Sequence, residues 1–141
     1  EAGVDCVLLA GRYSLLDQRG LDELLPLCER EGVAVIAAGV FNSGLLADPR
    51  PGATYDYVEA PPQLVERARR LGEVCDAHGV PLRAAALQFP LGHPAVRTVL
   101  VGARTAAEMS ENAALFDLPI PPALWDDLVS AGLLSPDAPV P

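Results

Sequence analysis

The chain has 141 residues, half of them apolar and 21% charged, which is enough length and apolar content for one globular domain with a real core. Its net charge of −9 excludes the usual nucleic-acid binder, because phosphate backbones are held by concentrated Lys and Arg. No apolar run approaches the roughly 20 residues that span a bilayer, and no basic-then-apolar leader is visible. Neither nucleic acid nor membrane is therefore expected as a partner, and cytoplasmic residence is the expectation.

The chain contains no lysine, and its basic residues are all arginine. Chemistry that needs a catalytic Lys cannot be completed by this segment alone. Cys6, Cys28 and Cys75 are odd in number, widely spaced and set in apolar surroundings, so they read as reduced core thiols rather than metal ligands or a disulfide pair.

In chain order, Cys6 to Ala10 (CVLLA) is the first predicted strand. Leu21, Leu24, Leu25 and Cys28 recur at helical spacing up to a stop at Gly32. Val33 to Ala38 (VAVIAA) is the second strand, followed by a Pro-, Gly- and Asp-rich loop from Ala47 to Ala60. Pro61-Pro62 opens a helix with Leu64, Ala68, Leu71, Cys75 and His78 on one face, and Gly79 closes it. Pro81 starts a short helix through Leu87 to Phe89, and Thr98 to Val101 (TVLV) is the third strand. Met109, Ala113 and Phe116 mark the next helix. Leu124, Leu128 and Ala131 mark the last, which Pro121-Pro122 opens. Ser135 to Pro141 reads as a frayed, Pro-rich tail.

Continuous apolar strands alternating with helices predict a parallel sheet with strands buried on both faces, built from βαβ units. Three strands close neither a barrel nor a doubly wound sheet. The chain also opens at Glu1, without an initiator Met, a few residues before a strand. The expectation is a part of a longer polypeptide, with residues 1–134 a partial barrel and 135–141 its tail.

Two places can carry chemistry. Asn42-Ser43-Gly44 follows the second strand at its C-terminal end, where a small polar turn lets backbone N–H groups approach an anion. An ordinary turn fits the same residues. In Val101 to Ala114 (VGARTAAEMSENAA), Thr105 and Glu108 form a capping box, and Arg104 stands just before the helix N-terminus it announces. That arrangement suits a phosphate, with Glu111 and Asn112 one turn further in for a base or ribose. Simple capping with a solvated Arg104 suits it as well. His78, in a last helical turn, and His93, in a loop, read as structural.

GRYSLLDQ (Gly11 to Gln18), VFNSGLLA (Val40 to Ala47), ALQFPLGHPAV (Ala86 to Val96), VGARTAAEMSENAA and IPPALWDDLVSAGLL (Ile120 to Leu134) together resemble, in order, successive blocks of the aldo-keto reductases. They are most similar to the bacterial branch of aldose and sugar dehydrogenases, typified by D-threo-aldose 1-dehydrogenase and L-fucose dehydrogenase. The resemblance implies an α/β fold, the C-terminal part of a (β/α)8 TIM barrel, with these strands as its sixth to eighth. It also implies NAD or NADP as cofactor. Phe41, Asn42, Ser43, Gly44 and Leu45 would touch the pyrophosphate, and Gly102, Ala103, Arg104, Glu108, Glu111 and Asn112 would line the adenosine end. Tyr13 would stand near the barrel mouth, with Tyr55 and Tyr57 shaping a pocket for a small sugar or aldehyde.

Many members have an aromatic residue and a Gln at the nicotinamide where this chain has Ala38 and Ala10. The family's catalytic Asp, Tyr, Lys and His lie on earlier strands, so no catalytic residue and no metal ligand is assigned here. The missing N-terminal half of the barrel would supply them. Glu108 stands near a position that is often basic in NADP-preferring relatives, which tilts the expectation slightly towards NAD. Two other readings share the fold: a cofactor-binding regulatory protein like the potassium-channel β-subunits, and an inert half-barrel fragment.

Overall fold

The computed structural model describes residues 3–141. Three parallel strands form its sheet in the order β1–β2–β5: β1 Cys6–Ala10, β2 Ala34–Ala38 and β5 Val96–Leu100. Five helices connect and follow them: α1 Leu24–Glu31, α2 Pro62–Ala77, α3 Leu82–Gln88, α4 Ala106–Phe116 and α5 Pro122–Ser130. The strands and helices expected from the apolar spacing are thus present, with most ends shifted by a residue or two, while Leu21, expected in the first helix, stands in a separate 3-10 turn, Arg19–Leu21, before α1. Gly32, in the left-handed conformation at φ 69°, ends α1 as predicted.

Burial on both faces holds for the centre of the sheet only. Val35 and Ala37 are fully buried beneath the helices. Their neighbours point the other way, and register aligns Leu8, Ile36 and Thr98 on that opposite face. Leu8 and Leu100 there are 55% and 52% exposed. The helices cover one side, and the side that a closed barrel turns inward is open. Cys6, read as a core thiol, is exposed for the same reason, whereas Cys28 and Cys75 are buried. Burial pushes the Cys75 thiol up to about 12.

Three further expectations are corrected. The loop from Ala47 to Ala60 contains a small hairpin, β3 Thr54–Tyr55 paired antiparallel with β4 Val58–Glu59. Its two central residues, Asp56 and Tyr57, sit at φ 49° and 66°, the left-handed pair that a two-residue hairpin turn requires. Met109 and Phe116 on α4 were expected to face the core but are 46% and 39% exposed, while Asn112 is the buried residue of that helix. Ala131 is likewise exposed, and Leu124, Trp125 and Leu128 carry the buried face of α5.

The tail is packed, not frayed. Ala138 is buried, and a Cβ on Gly92 would meet Val140 Cα at 2.6 Å. Arg67 donates to the Leu133 carbonyl at 2.6 Å, and Arg70 to that of Ala131 at 3.4 Å, which satisfies acceptors at the end of α5.

Candidate functional site

All three parallel strands release their chain on the same edge of the sheet, and two adjoining cavities lie there. The first, about 240 Å³, is lined by Ala10 and Gly11 after β1, by Gly39 to Gly44 after β2, by Leu100 to Gly102 after β5, and by Asp56 and Tyr57 of the hairpin. The second, about 480 Å³, lies between the β2 loop and the start of α4, and includes Arg83, Arg104, Glu108, Glu111 and Asn112. Phe41, Ser43, Gly44 and Gly102 line both. An elongated ligand can therefore run from one cavity into the other.

Backbone geometry explains the floor. At Gly39, φ 64°, a Cβ would stand 3.0 Å from the Gly11 nitrogen, so only glycine lets the β1 and β2 turns meet this closely. Asn42 and Ser43 follow at φ 48° and 58°. Asn42 is held there by Ser14, whose hydroxyl donates to its Oδ1 at 2.7 Å, and by donating its own amide to the Gly11 carbonyl at 3.5 Å.

The rim of the second cavity is built from two Arg–Glu pairs. Thr105 caps α4 by accepting the Glu108 N–H at 3.1 Å. Glu108 reaches back to the Arg104 N–H at 2.8 Å, one residue before the Thr105 N–H that the expected capping box would engage, and also takes the Arg104 guanidinium at 2.7 and 3.2 Å. Those bonds hold the Glu108 carboxyl below its ordinary range. Across the cavity, Arg83 forms an ion pair with Glu111 at 2.9 Å and donates to the Asn112 Oδ1 at 2.7 Å, with its guanidinium carbon 5.9 Å from the Phe41 ring centre. Its Nε is buried without a partner.

The expected site residues divide accordingly. Phe41, Ser43, Gly44, Gly102, Arg104, Glu108, Glu111 and Asn112 line the second cavity together, and Asn42 lines the first. Ala103 lines neither cavity. Leu45 is fully buried in the core, so its place there is packing rather than contact. Tyr13, expected near the mouth, is 1% exposed and packs on Phe89 with ring centres 5.0 Å apart. Its hydroxyl donates to the Pro139 carbonyl at 3.5 Å, so the docked tail, absent from the sequence expectation, is what seals it inside.

Tyr57 borders the first cavity and is 93% exposed. Tyr55 turns away from it and donates to Asp17 at 3.1 Å. Arg83 was not anticipated at all. The one sequence signal for it is a charged residue set directly before Ala84-Ala85-Ala86, which are all fully buried.

Among the described residues no group of His, Cys, Asp and Glu could hold a metal ion, and no helix is long and apolar enough to cross a membrane.

A parallel α/β layer with a two-part cavity at the carboxyl ends of its strands places that cavity where α/β folds hold their ligands. Residues 1–132 match the aldo/keto reductase family, and the chain belongs to that family. It is 50% identical over 136 residues to a pyridoxal 4-dehydrogenase of Microbacterium luteolum, covering 96% of this chain and 40% of that protein. It is 43% identical to a D-threo-aldose 1-dehydrogenase of a Pseudomonas species, covering 95% of this chain and 41% of the relative. The chain thus spans about two fifths of the length of these relatives. Among solved structures it resembles an aldo-keto reductase of Bacillus halodurans in its apo form, with a TM-score of 0.69, 26% identity, and coverage of 92% of this chain and 44% of that one.

Proposed function

We infer that this chain supplies the cofactor-binding part of an NAD(P)-dependent oxidoreductase acting on the carbonyl or hydroxyl of a small sugar or aldehyde. The observation that carries the reading is the pair of adjoining cavities, with an Arg–Glu rim and a helix N-terminus at one end. The residues there suit a dinucleotide. Ser43, Gly44 and Gly102 leave backbone exposed between the cavities for a pyrophosphate. Arg104, Glu108, Glu111 and Asn112 supply the polar groups for an adenosine. The cofactor, when bound, accepts or donates the hydride. This chain's residues would bind and orient it.

The names of the relatives support a substrate class. An aldose at C1 and pyridoxal at its aldehyde both present a carbonyl that a hydroxyl of the same molecule can close into a hemiacetal. Oxidation of such a hemiacetal carbon is the reaction proposed here.

The cavity's charge favours NAD. Both guanidiniums that line its adenosine end are already paired, Arg83 with Glu111 and Arg104 with Glu108, and Asp48 there is paired with Arg50, so among the described residues no free cation awaits a further phosphate. A 2′-phosphate would enter against that pairing, whereas a ribose diol would not.

The test is binding and turnover by the full-length protein with NAD and NADP, using aldoses and pyridoxal as substrates and the absorbance of the reduced nicotinamide as readout. Reduction of NAD with at least one of these substrates is expected. Failure to bind either dinucleotide would overturn the reading.

A further inference from the structure

Arg83 occupies a position that costs stability unless something requires it. Its side chain is 25% exposed and its Nε is buried with no acceptor, while its two terminal nitrogens are committed to Glu111 and Asn112. An unsatisfied buried donor on a charged group calls for a reason. We propose that Arg83 is a positioning residue that fixes the hydrogen-bond polarity of the base-binding end, so that the cavity accepts adenine and discriminates against a 6-oxo purine. This rests on the dinucleotide reading above and deepens it.

The argument follows from what an arginine can do. A guanidinium only donates, so the Asn112 oxygen that faces Arg83 at 2.7 Å must be the carbonyl. The amide cannot flip without setting donor against donor. Its NH2 group therefore points to the remaining side, and it has no hydrogen-bond partner among the described residues. Asn112 lines the same cavity as Glu111, and Glu111 gives only one carboxylate oxygen to Arg83. The two side chains thus offer one fixed donor and, in the more exposed Glu111, one acceptor.

Adenine carries the complement on one edge, a ring nitrogen that accepts beside an exocyclic amine that donates. On the Watson–Crick edge hypoxanthine reverses both positions: its protonated N1 would set a donor against the Asn112 NH2, and its 6-oxo oxygen would face the Glu111 carboxylate. The Phe41 ring, backed by the same guanidinium, keeps Arg83 from swinging out of this arrangement.

The experiment compares the affinities of the full-length protein for NAD and for nicotinamide hypoxanthine dinucleotide, by calorimetry, in wild type, Arg83→Met and Asn112→Asp. The wild type is expected to prefer NAD by about tenfold, in the range of discrimination that a well-placed donor–acceptor pair provides. Arg83→Met frees the Asn112 amide to flip and should bring the ratio close to one. Asn112→Asp keeps a partner for Arg83 but removes the donor, and should lose the preference without relying on Arg83→Met folding well. A wild type that binds both dinucleotides equally would overturn the proposal. So would variants that weaken both dinucleotides by the same factor and leave the ratio intact, the mark of a purely structural arginine. A wild type that binds neither would instead sink the dinucleotide reading itself, and this inference with it.

Discussion

Tyr55→Phe should loosen the hairpin over the first cavity while leaving the core intact. The Tyr55 ring packs at the margin of the core, but its hydroxyl donates to Asp17, which is itself buried and accepts from the Arg19 backbone and guanidinium. A hydrogen bond to a charged group contributes about 1.5 to 3 kcal/mol. Asp17 keeps its Arg19 donors after the substitution, so no buried charge is orphaned, and the lower figure of about 1.5 kcal/mol applies. The hairpin also carries two residues at positive φ, of which Tyr57 is the costly one. Against that strain, a loss of this size should raise the open population of residues 54–59 by about tenfold. The assay is amide hydrogen exchange in the full-length protein, read at Tyr57, whose N–H is held by Ser43, and at Ala60, held by the Ala53 carbonyl. Unchanged exchange at both sites would refute the reasoning, as would a fall in global stability with no local change. The same node predicts acid sensitivity. Burial pushes the Asp17 carboxyl up, but the Arg19 and Tyr55 donors outweigh it and hold the carboxyl below its usual value. Its stabilisation is thus complete above the unfolded carboxylate range of about 4 and is lost as pH falls through the depressed folded value.

The cofactor preference gives a second prediction. Glu108→Gln should release Arg104 and shift binding towards NADP, and Arg104→Ala should weaken NADP more than NAD, both read as dissociation constants. Equal effects on the two cofactors would mean that neither side chain reaches the 2′ position. Residues 1–141 expressed alone should turn over no aldose with NAD(P), since they contain no lysine. They should also aggregate or bind a hydrophobic dye through the open face holding Leu8 and Leu100, and a sharp cooperative melt of a monomer would contradict this. His93 is buried against Tyr13 and accepts the Ala95 N–H on Nδ1, and burial holds its pKa below the ordinary value. Its folded pKa being depressed, its stabilisation is present above about pH 6.5 and is lost as pH falls towards the folded value. A His93→Gln variant should therefore show a flatter melting temperature across that range.

The fold was legible where a local rule decides it. The i, i+3, i+4 spacing on α1 and α2, the glycine stops and the proline starts each act within one or two turns, and the elements formed where these signals stand. Misreadings came where the outcome depends on what lies across from a residue. CVLLA and TVLV read as doubly buried, yet Leu8 and Leu100 face an uncovered side because apolar content does not say how many layers are present. Met109 and Phe116 are exposed for the same reason. The tail packs because Gly92 leaves room for Pro139 and Val140, a long-range fit that a Pro-rich composition hides.

The site shows the same division between local and long-range signals. The Thr105 cap on Glu108 was readable because its partners are three residues apart, and it formed, whereas the return bond from Glu108 goes one residue further back, to the Arg104 N–H. Arg83 was invisible because its partners, Glu111 and Asn112, lie on another helix, 28 and 29 residues away by their numbering. A guanidinium placed before three buried alanines can be held only by acceptors brought from outside its own helix. Such a residue is worth flagging in a sequence even when its partners cannot be named. Here those partners are two side chains that line the second cavity with Arg83, so the shape and polarity of that end of the cavity are set by the contact between α3 and α4 and not by the α4 motif alone.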